Sequence, residues 1–224
     1  MRLSVVIPVF NERATILNIL DRVSAVDLDK EVIVVDDCST DGTRDLLRER
    51  ASDGFTLVLH DVNQGKGAAL RSGFARATGD FVIVQDADLE YDPADYVKLL
   101  AVVEDRDAVA VYGSRLAQER PTMALRHFVG NRLLTGLTNL LYDSQLTDME
   151  TCYKLLKRGL VNELCLSSNS FNIEPEITAK LLKKGIAIYE VPISYAGRSF
   201  AEGKKISWVD FVSAVWTLVR IRLA

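Results

Sequence analysis

Over the first half of the chain, short runs of β-branched and aliphatic residues alternate with longer mixed segments. The alternation predicts strands at Leu3–Val9, Glu31–Val35, Thr56–Leu59, Phe81–Gln85 and Ala108–Tyr112, joined by helical crossovers, which is the pattern of a mostly parallel α/β sheet. Cap chemistry puts helix starts at Asn11 or Thr15, at Ser39 or Thr40, and at Asp92 with Pro93 in the first turn. Another helix follows Gly65-Lys66-Gly67 and ends near Gly79. Beyond residue 115 the alternation stops. A loop at Gln118 to Thr122 leads into Arg126–Tyr142, where Leu133, Leu134, Leu137, Leu140 and Leu141 recur at helical spacing. A helix over Ile173–Lys184, a strand over Ile186–Val191 and a last helix over Ile206–Leu223 complete the pattern. The last helix has an apolar face at Val212, Val215, Trp216, Val219 and Leu223.

A chain of 224 residues, 48% of them hydrophobic, can bury one full core, so a single domain over 1–224 is expected, with halves at 1–115 and 116–224. The formal charge of -4 argues against nucleic acid as a partner, because phosphate neutralisation needs a basic face. Cys38, Cys152 and Cys165 lack metal-ligand or CxxC spacing, so a reducing compartment and ordinary packing are expected. The apolar run Met1–Pro8 is too short for a signal-peptide core, and Phe211–Val219 is far below the roughly 20 residues that span a bilayer. The expected location is therefore cytoplasmic, without a membrane-spanning helix. His60 and His127 have no partner at useful spacing and are expected to be surface or satisfied core residues.

Acidic residues crowd the end of one predicted strand. In "VIVQDADLEYDP" the run Phe81–Val84 leads directly to Asp86, Asp88, Glu90 and Asp92. Such acids form either a solvated loop with a turn at Asp92-Pro93 or a site for a hard divalent cation. Ligands of open parallel sheets bind outside the carboxyl ends of the strands. Three further ends carry polar residues: Pro8 to Glu12, Asp36 to Gly42, and Gly113-Ser114-Arg115. Their coincidence on one edge favours a site. Gly65-Lys66-Gly67 lacks the spacing of a nucleoside-triphosphate phosphate loop and reads as a closely packed helix start, with Arg71 on the surface.

In that order, "VVIPVFNE", "VIVVDDCSTDGT", "NQGKGAALRSGFARATGD" and "DADLEYDP" resemble the family 2 glycosyltransferases. "YGSR", "TDMETCYKLLKR" and "EVPISYAGRSFAEGKKISW" extend the resemblance toward the dolichol-phosphate mannosyltransferase-like, polyprenyl-phosphate branch. The resemblance implies a glycosyltransferase A, Rossmann-like fold and a nucleotide-diphosphate sugar donor of the UDP-glucose or GDP-mannose type. On it, Pro8, Phe10 and Glu12 match donor contacts, and Val35 and Asp37 match nucleoside-binding positions, with Asp36 a loop-orienting acid. Asp86, Ala87 and Asp88 match the DXD element, where Mg²⁺ or Mn²⁺ bridges protein and diphosphate. Glu90 stands where the mannosyltransferases commonly have Gln and becomes a third metal ligand. Arg115 and Arg132 match phosphate-holding positions; Arg198 and Lys205 match a late loop over donor or acceptor, while Lys204 stays a solvated charge. Asp148 matches an acid near the acceptor, either a base or an orienting group. At Thr151-Cys152-Tyr153-Lys154 the chain departs from the branch's frequent Ser-Gly-Phe-Arg.

Five basic residues, Arg198, Lys204, Lys205, Arg220 and Arg222, face only Glu202 and Asp210 in the last segment, which also carries Trp208 and Trp216. Residues 204–224 are thus expected to meet an anionic membrane surface from the cytoplasmic side, or to pack on the domain, on a second copy of the chain, or on a membrane partner protein. The function expected is metal-dependent, inverting transfer of a hexose to a polyprenyl phosphate. The alternatives are a soluble saccharide or protein acceptor, a sugar-nucleotidyltransferase, or a nucleotide-binding module without turnover.

Overall fold

The computed structural model describes residues 1–52, 54–117, 125–197 and 208–224. Its centre is a seven-stranded sheet: β1 (Leu3–Val9), β2 (Lys30–Asp36), β3 (Phe55–Leu59), β4 (Phe81–Val84), β5 (Ala110–Ser114), β6 (Lys154–Lys157) and β7 (Tyr189–Pro192). The spatial order is β3-β2-β1-β4-β6-β5-β7. β6 runs antiparallel to β4 and β5, and the other neighbours are parallel. β1 and β4 are almost wholly buried, as parallel strands covered on both faces must be, which is why they read as unbroken apolar runs. The helices are α1 (Ile16–Ala25), α2 (Thr43–Glu49), α3 (Lys66–Phe74), α4 (Tyr96–Arg106), α5 (Leu125–Tyr142), α6 (Arg158–Glu163), α7 (Ile173–Lys183) and α8 (Trp208–Leu223).

The sheet grows from β1 outward through β2 and β3, then returns to place β4 on the other side of β1. This reversal opens a crevice at the carboxyl ends of β1 and β4, where side chains from both directions converge. A main core built on the sheet is joined by a smaller cluster of Leu134, Met149, Ala179, Ala214, Leu218 and Ile221, which ties α5, α7 and α8 together.

Several expected boundaries move. α2 does not start at Ser39 or Thr40 but after Gly42, which takes φ +93°. Ser39 and Thr40 are used elsewhere: Asn11 N donates to Ser39 Oγ at 2.9 Å and Thr40 N donates to Asn11 Oδ1 at 2.8 Å. Asp92 caps a 3-10 turn, Pro93–Asp95, through Ala94 N at 3.0 Å, and α4 begins one turn later. α3 ends at Phe74, not near Gly79. Neither β6 nor α6 is legible in the apolar pattern, because β6 has only two aliphatic residues between lysines. For the last helix, residues 206 and 207 lie outside the described residues.

Candidate active site

Three strand ends meet at the crevice, and each loop contains a non-glycine residue in the left-handed region: Asn11 (φ 55°) after β1, Cys38 (φ 63°) after β2 and Leu89 (φ 63°) after β4. For a leucine this conformation costs about 1 kcal/mol or more, and strain of this kind gathers where function over-determines the backbone. In the β1 loop, Pro8, Phe10 and Glu12 are half-buried. Glu12 N donates to Thr43 Oγ1 at 3.0 Å and its Oε2 accepts from Thr15 Oγ1 at 2.9 Å.

At the end of β2 the acids turn inward. Val35 is a core residue. Asp36 is fully buried and accepts from Arg44 Nε at 2.6 Å, while Arg44 Nη2, also 2.6 Å from that oxygen, donates to His60 O at 2.5 Å. Asp37 accepts from His60 Nδ1 at 2.7 Å and Gln64 N at 2.9 Å through Oδ1, and from Gly65 N at 2.7 Å through Oδ2. The other ring nitrogen, Nε2, lies 2.9 Å from Ser72 Oγ, so both nitrogens of His60 have hydrogen-bond partners. His60 is therefore a satisfied core histidine, and its partners, Asp37 after β2 and Ser72 in α3, stand at no local spacing from it.

That entry is tightly packed, as the two glycines predict. A Cβ on Gly67 would lie 2.3 Å from Ser168 O, and Gly67 N donates to Asn169 O at 2.8 Å. Arg71 is half-buried and hydrogen-bonds Asn169 Oδ1, so it is not a free surface residue.

β4 delivers the acids. Asp86 and Asp88 are half-buried and Ala87 is buried. Lys66 Nζ approaches Asp86 at 2.8 Å and Glu174, in the first turn of α7, at 3.3 Å; Lys154 Nζ reaches the other oxygen of Glu174 at 2.8 Å. Burial works against the Lys66 charge, but the Asp86 and Glu174 carboxylates hold its pKa well above the usual lysine value. Burial pushes the Cys152 thiol up, so it stays protonated. Asp88 Oδ1 accepts Glu90 N at 3.1 Å, and Glu90 Oε2 accepts the Tyr195 hydroxyl at 2.6 Å. Among the described residues no three His, Cys, Asp or Glu side chains are gathered to hold a metal. Asp86 and Asp88 nonetheless offer hard oxygen donors one residue apart at a partly open edge. That donor chemistry fits Mg²⁺ or Mn²⁺ completed by ligand oxygens.

Directly after β5 comes Arg115, which is buried against Asp148. Arg115 N and Nε donate to Asp148 Oδ2 at 2.9 and 2.8 Å, and Nη2 donates to Oδ1 at 2.8 Å. Asn131 Nδ2 adds a bond to Oδ1 at 2.7 Å. Burial alone would raise the Asp148 pKa, but the Arg115 guanidinium and these donors hold it below the usual carboxylate value. The guanidinium carbon lies 5.2 Å from the centre of the Tyr195 ring and 5.9 Å from that of Tyr91. Next to this pair, Glu150 has a buried Oε1 without a hydrogen-bond partner. Burial, opposed by Lys154 and reinforced by Glu174, pushes its pKa up to about 7.

Arg132 is exposed on α5. Arg198, Lys204 and Lys205 lie outside the described residues. The crevice thus joins the β1 and β4 loops with Arg115 and Asp148, whereas the Val35 and Asp37 side chains are spent on core and loop. Sequence reasoning missed Lys66, Glu174, Asn131, Tyr91 and Tyr195 as neighbours of these residues. Only the basic residue in Gly65-Lys66-Gly67 hinted at one of them.

A mostly parallel sheet with a switch-point crevice lined by acids and one buried arginine defines an α/β domain of the Rossmann-like class. The chain belongs to glycosyl transferase family 2, whose model matches residues 4–165. It is 32% identical over 202 residues to the low-salt glycan biosynthesis hexosyltransferase Agl6 of Haloferax volcanii, covering 88% of this chain and 48% of that protein. It is 25% identical over 225 residues to the undecaprenyl-phosphate 4-deoxy-4-formamido-L-arabinose transferase of Enterobacter sp., covering 97% and 66%. The chain thus spans about half to two thirds of the length of these relatives. In fold it is similar to glucosyl-3-phosphoglycerate synthase of Mycobacterium tuberculosis, solved with Mn²⁺, uridine diphosphate and phosphoglyceric acid. That match has a TM-score of 0.72 at 23% identity and covers 99% of this chain and 78% of that one.

Proposed function

We propose that this chain is a metal-assisted glycosyltransferase that moves a hexose from a nucleotide-diphosphate sugar to a polyprenyl phosphate. The observation that carries the reading is the convergence of Asp86 and Asp88 with the buried Arg115–Asp148 pair at one sheet edge. A Mg²⁺ or Mn²⁺ held by Asp86 and Asp88 would offset the charge that a departing diphosphate develops.

The remaining work belongs to the protein's own groups. Phe10 and Glu12 flank the place where a nucleoside would enter. Arg115 spends Nε and one Nη2 hydrogen on Asp148, and the guanidinium N–H groups beyond that pair would receive phosphate oxygens. Asp148 is already fully engaged as an acceptor and orients Arg115. A phosphate monoester is anionic at neutral pH and attacks without a base. Single in-line attack inverts the anomeric carbon. Polyprenyl phosphate as acceptor is supported by the relatives named for undecaprenyl phosphate.

An approach to a lipid surface is supported by exposed apolar side chains. Trp208, Val209, Val212 and Trp216 on α8, with Val129, Leu133 and Leu140 on α5, face outward, flanked by exposed Arg132, Arg220 and Arg222. Among the described residues no helix is long and apolar enough to cross a membrane, and these side chains suit a peripheral contact with an anionic surface.

The test is a matrix of UDP-glucose and GDP-mannose against undecaprenyl phosphate and soluble saccharides, with and without Mn²⁺. A lipid-linked sugar that forms only with metal supports the reading. Transfer to saccharides alone, or none to any acceptor, overturns it.

A further inference from the structure

The Asp148 carboxylate that holds Arg115 is itself held from the outer strand of the sheet. Glu190 on β7 accepts Thr147 N at 2.8 Å and the Thr147 hydroxyl at 3.0 Å through Oε2, and Asp148 N at 3.0 Å through Oε1. Because Thr147 Oγ1 gives its hydrogen to Glu190, it accepts from Ser114 Oγ at 2.7 Å. Ser114 Oγ in turn accepts Ala117 N at 3.1 Å. The donors therefore run in one direction, from the backbone after Arg115, through Ser114 and Thr147, to Glu190. A second route runs from the Arg115 side chain through Asp148 to the same carboxylate.

Three donors converge on Glu190, two backbone N–H groups and one hydroxyl. Only a carboxylate receives all three without placing a donor against a donor, since a glutamine at this place has one acceptor oxygen and two N–H groups. β7 reaches this position through parallel pairing with β5, where Tyr112 is the partner of Glu190 and Ser114 that of Pro192. The residue that holds the loop thus sits on the strand next to the one that carries Arg115.

We infer that Glu190 is a positioning residue that sets the Arg115 guanidinium for phosphate recognition by clamping Thr147 and Asp148 from β7. The inference rests on Arg115 being the phosphate-receiving group of the proposed site. Glu190 touches no substrate and acts through Asp148.

Two measurements on the full chain test it. The first follows hydrogen exchange at Arg115 Nε–H by ¹⁵N NMR, assigned by loss of the signal in Arg115→Lys. Exchange is slow in the wild type and at least about tenfold faster in Glu190→Gln, and about threefold faster in the milder Thr147→Val. Leu47→Ala, a core change remote from the site, serves as the control for general destabilisation and leaves the exchange unaltered. Equal exchange in wild type and Glu190→Gln, or equal acceleration in Leu47→Ala, overturns the inference.

The second measurement is kinetic. With undecaprenyl phosphate as acceptor, Glu190→Gln raises KM about tenfold and changes kcat less than about twofold. The same substitution has no further effect in an Arg115→Lys background, whereas additive losses overturn the inference. If the wild type transfers to no phosphate-bearing acceptor, the proposed function falls, and the exchange measurement still judges Glu190.

Discussion

The Lys66 ammonium lies 2.8 Å from Asp86 Oδ1 and 3.3 Å from Glu174 Oε1, so a side chain from the start of α3 supplies the positive charge at the end of β4. Lys154 repeats the device on the other oxygen of Glu174. Between them the two lysines neutralise Asp86 and Glu174. Breaking such a buried pair costs more than the pair contributes, because the orphaned charge stays in place.

Lys66→Met should therefore destabilise the fold by about 3 kcal/mol in urea titration, and adding Asp86→Asn should restore part of that loss. A double variant no more stable than Lys66→Met would mean that Asp86 is not what Lys66 neutralises.

Asp88→Asn removes a hard oxygen charge from a half-buried position and leaves the packing alone. Transfer should fall by at least about a hundredfold while Tm moves by only a few degrees. Full activity in this variant, with or without a chelator, would rule out cation binding at this pair.

Glu150 carries a folded pKa of about 7 against an ordinary value of 4.5. The native state holds its proton longer than the unfolded chain, so this group's contribution to stability is complete below about pH 4.5 and lost as pH rises through about 7. Glu150→Gln should then equal the wild type at pH 4 and exceed it by about 2 kcal/mol at pH 8, allowing for the partial exposure of the side chain. Denaturation midpoints at the two pH values check this, and a difference independent of pH would contradict it.

Gly67→Ala drives a methyl group to within 2.3 Å of Ser168 O. The backbone on both sides is fixed by Gly67 N and Ala68 N, which share Asn169 O, so the clash must be relieved by shifting α3. A loss of about 2 kcal/mol or more is expected by thermal unfolding, together with weaker donor binding, because Lys66 moves with the helix.

Trp208 and Trp216 are 77% and 64% exposed on one face of α8. Replacing both with Ser should abolish flotation with anionic liposomes at low salt and leave the monomer's Tm unchanged. Flotation that survives the double replacement would move the membrane contact elsewhere.

Elements whose cause is local could be read in advance. β1, β2 and β4 are apolar on both faces, so their runs are unbroken; α5 is marked by its leucine spacing; the close entry to α3 is marked by two glycines. The acids after β4 and the arginine after β5 were legible because parallel sheets place their ligands at strand ends. β6 was not, since the charge of its buried Lys154 is paired with Glu174, twenty residues further on, and a strand with a buried lysine has no periodic signature. The same holds for His60 with Asp37, 23 positions apart, and for Glu190 with Thr147 and Asp148, which meet only when β7 joins β5.

Hydrophobic pattern and turn chemistry alone determined the kind of sheet and the edge on which polar chemistry collects, because burial and backbone geometry act over a few residues. Which charges end up paired, and so which are left to meet a ligand, was decided by tertiary structure. A buried ion's partner is chosen by distance in space, and spacing along the chain does not encode it.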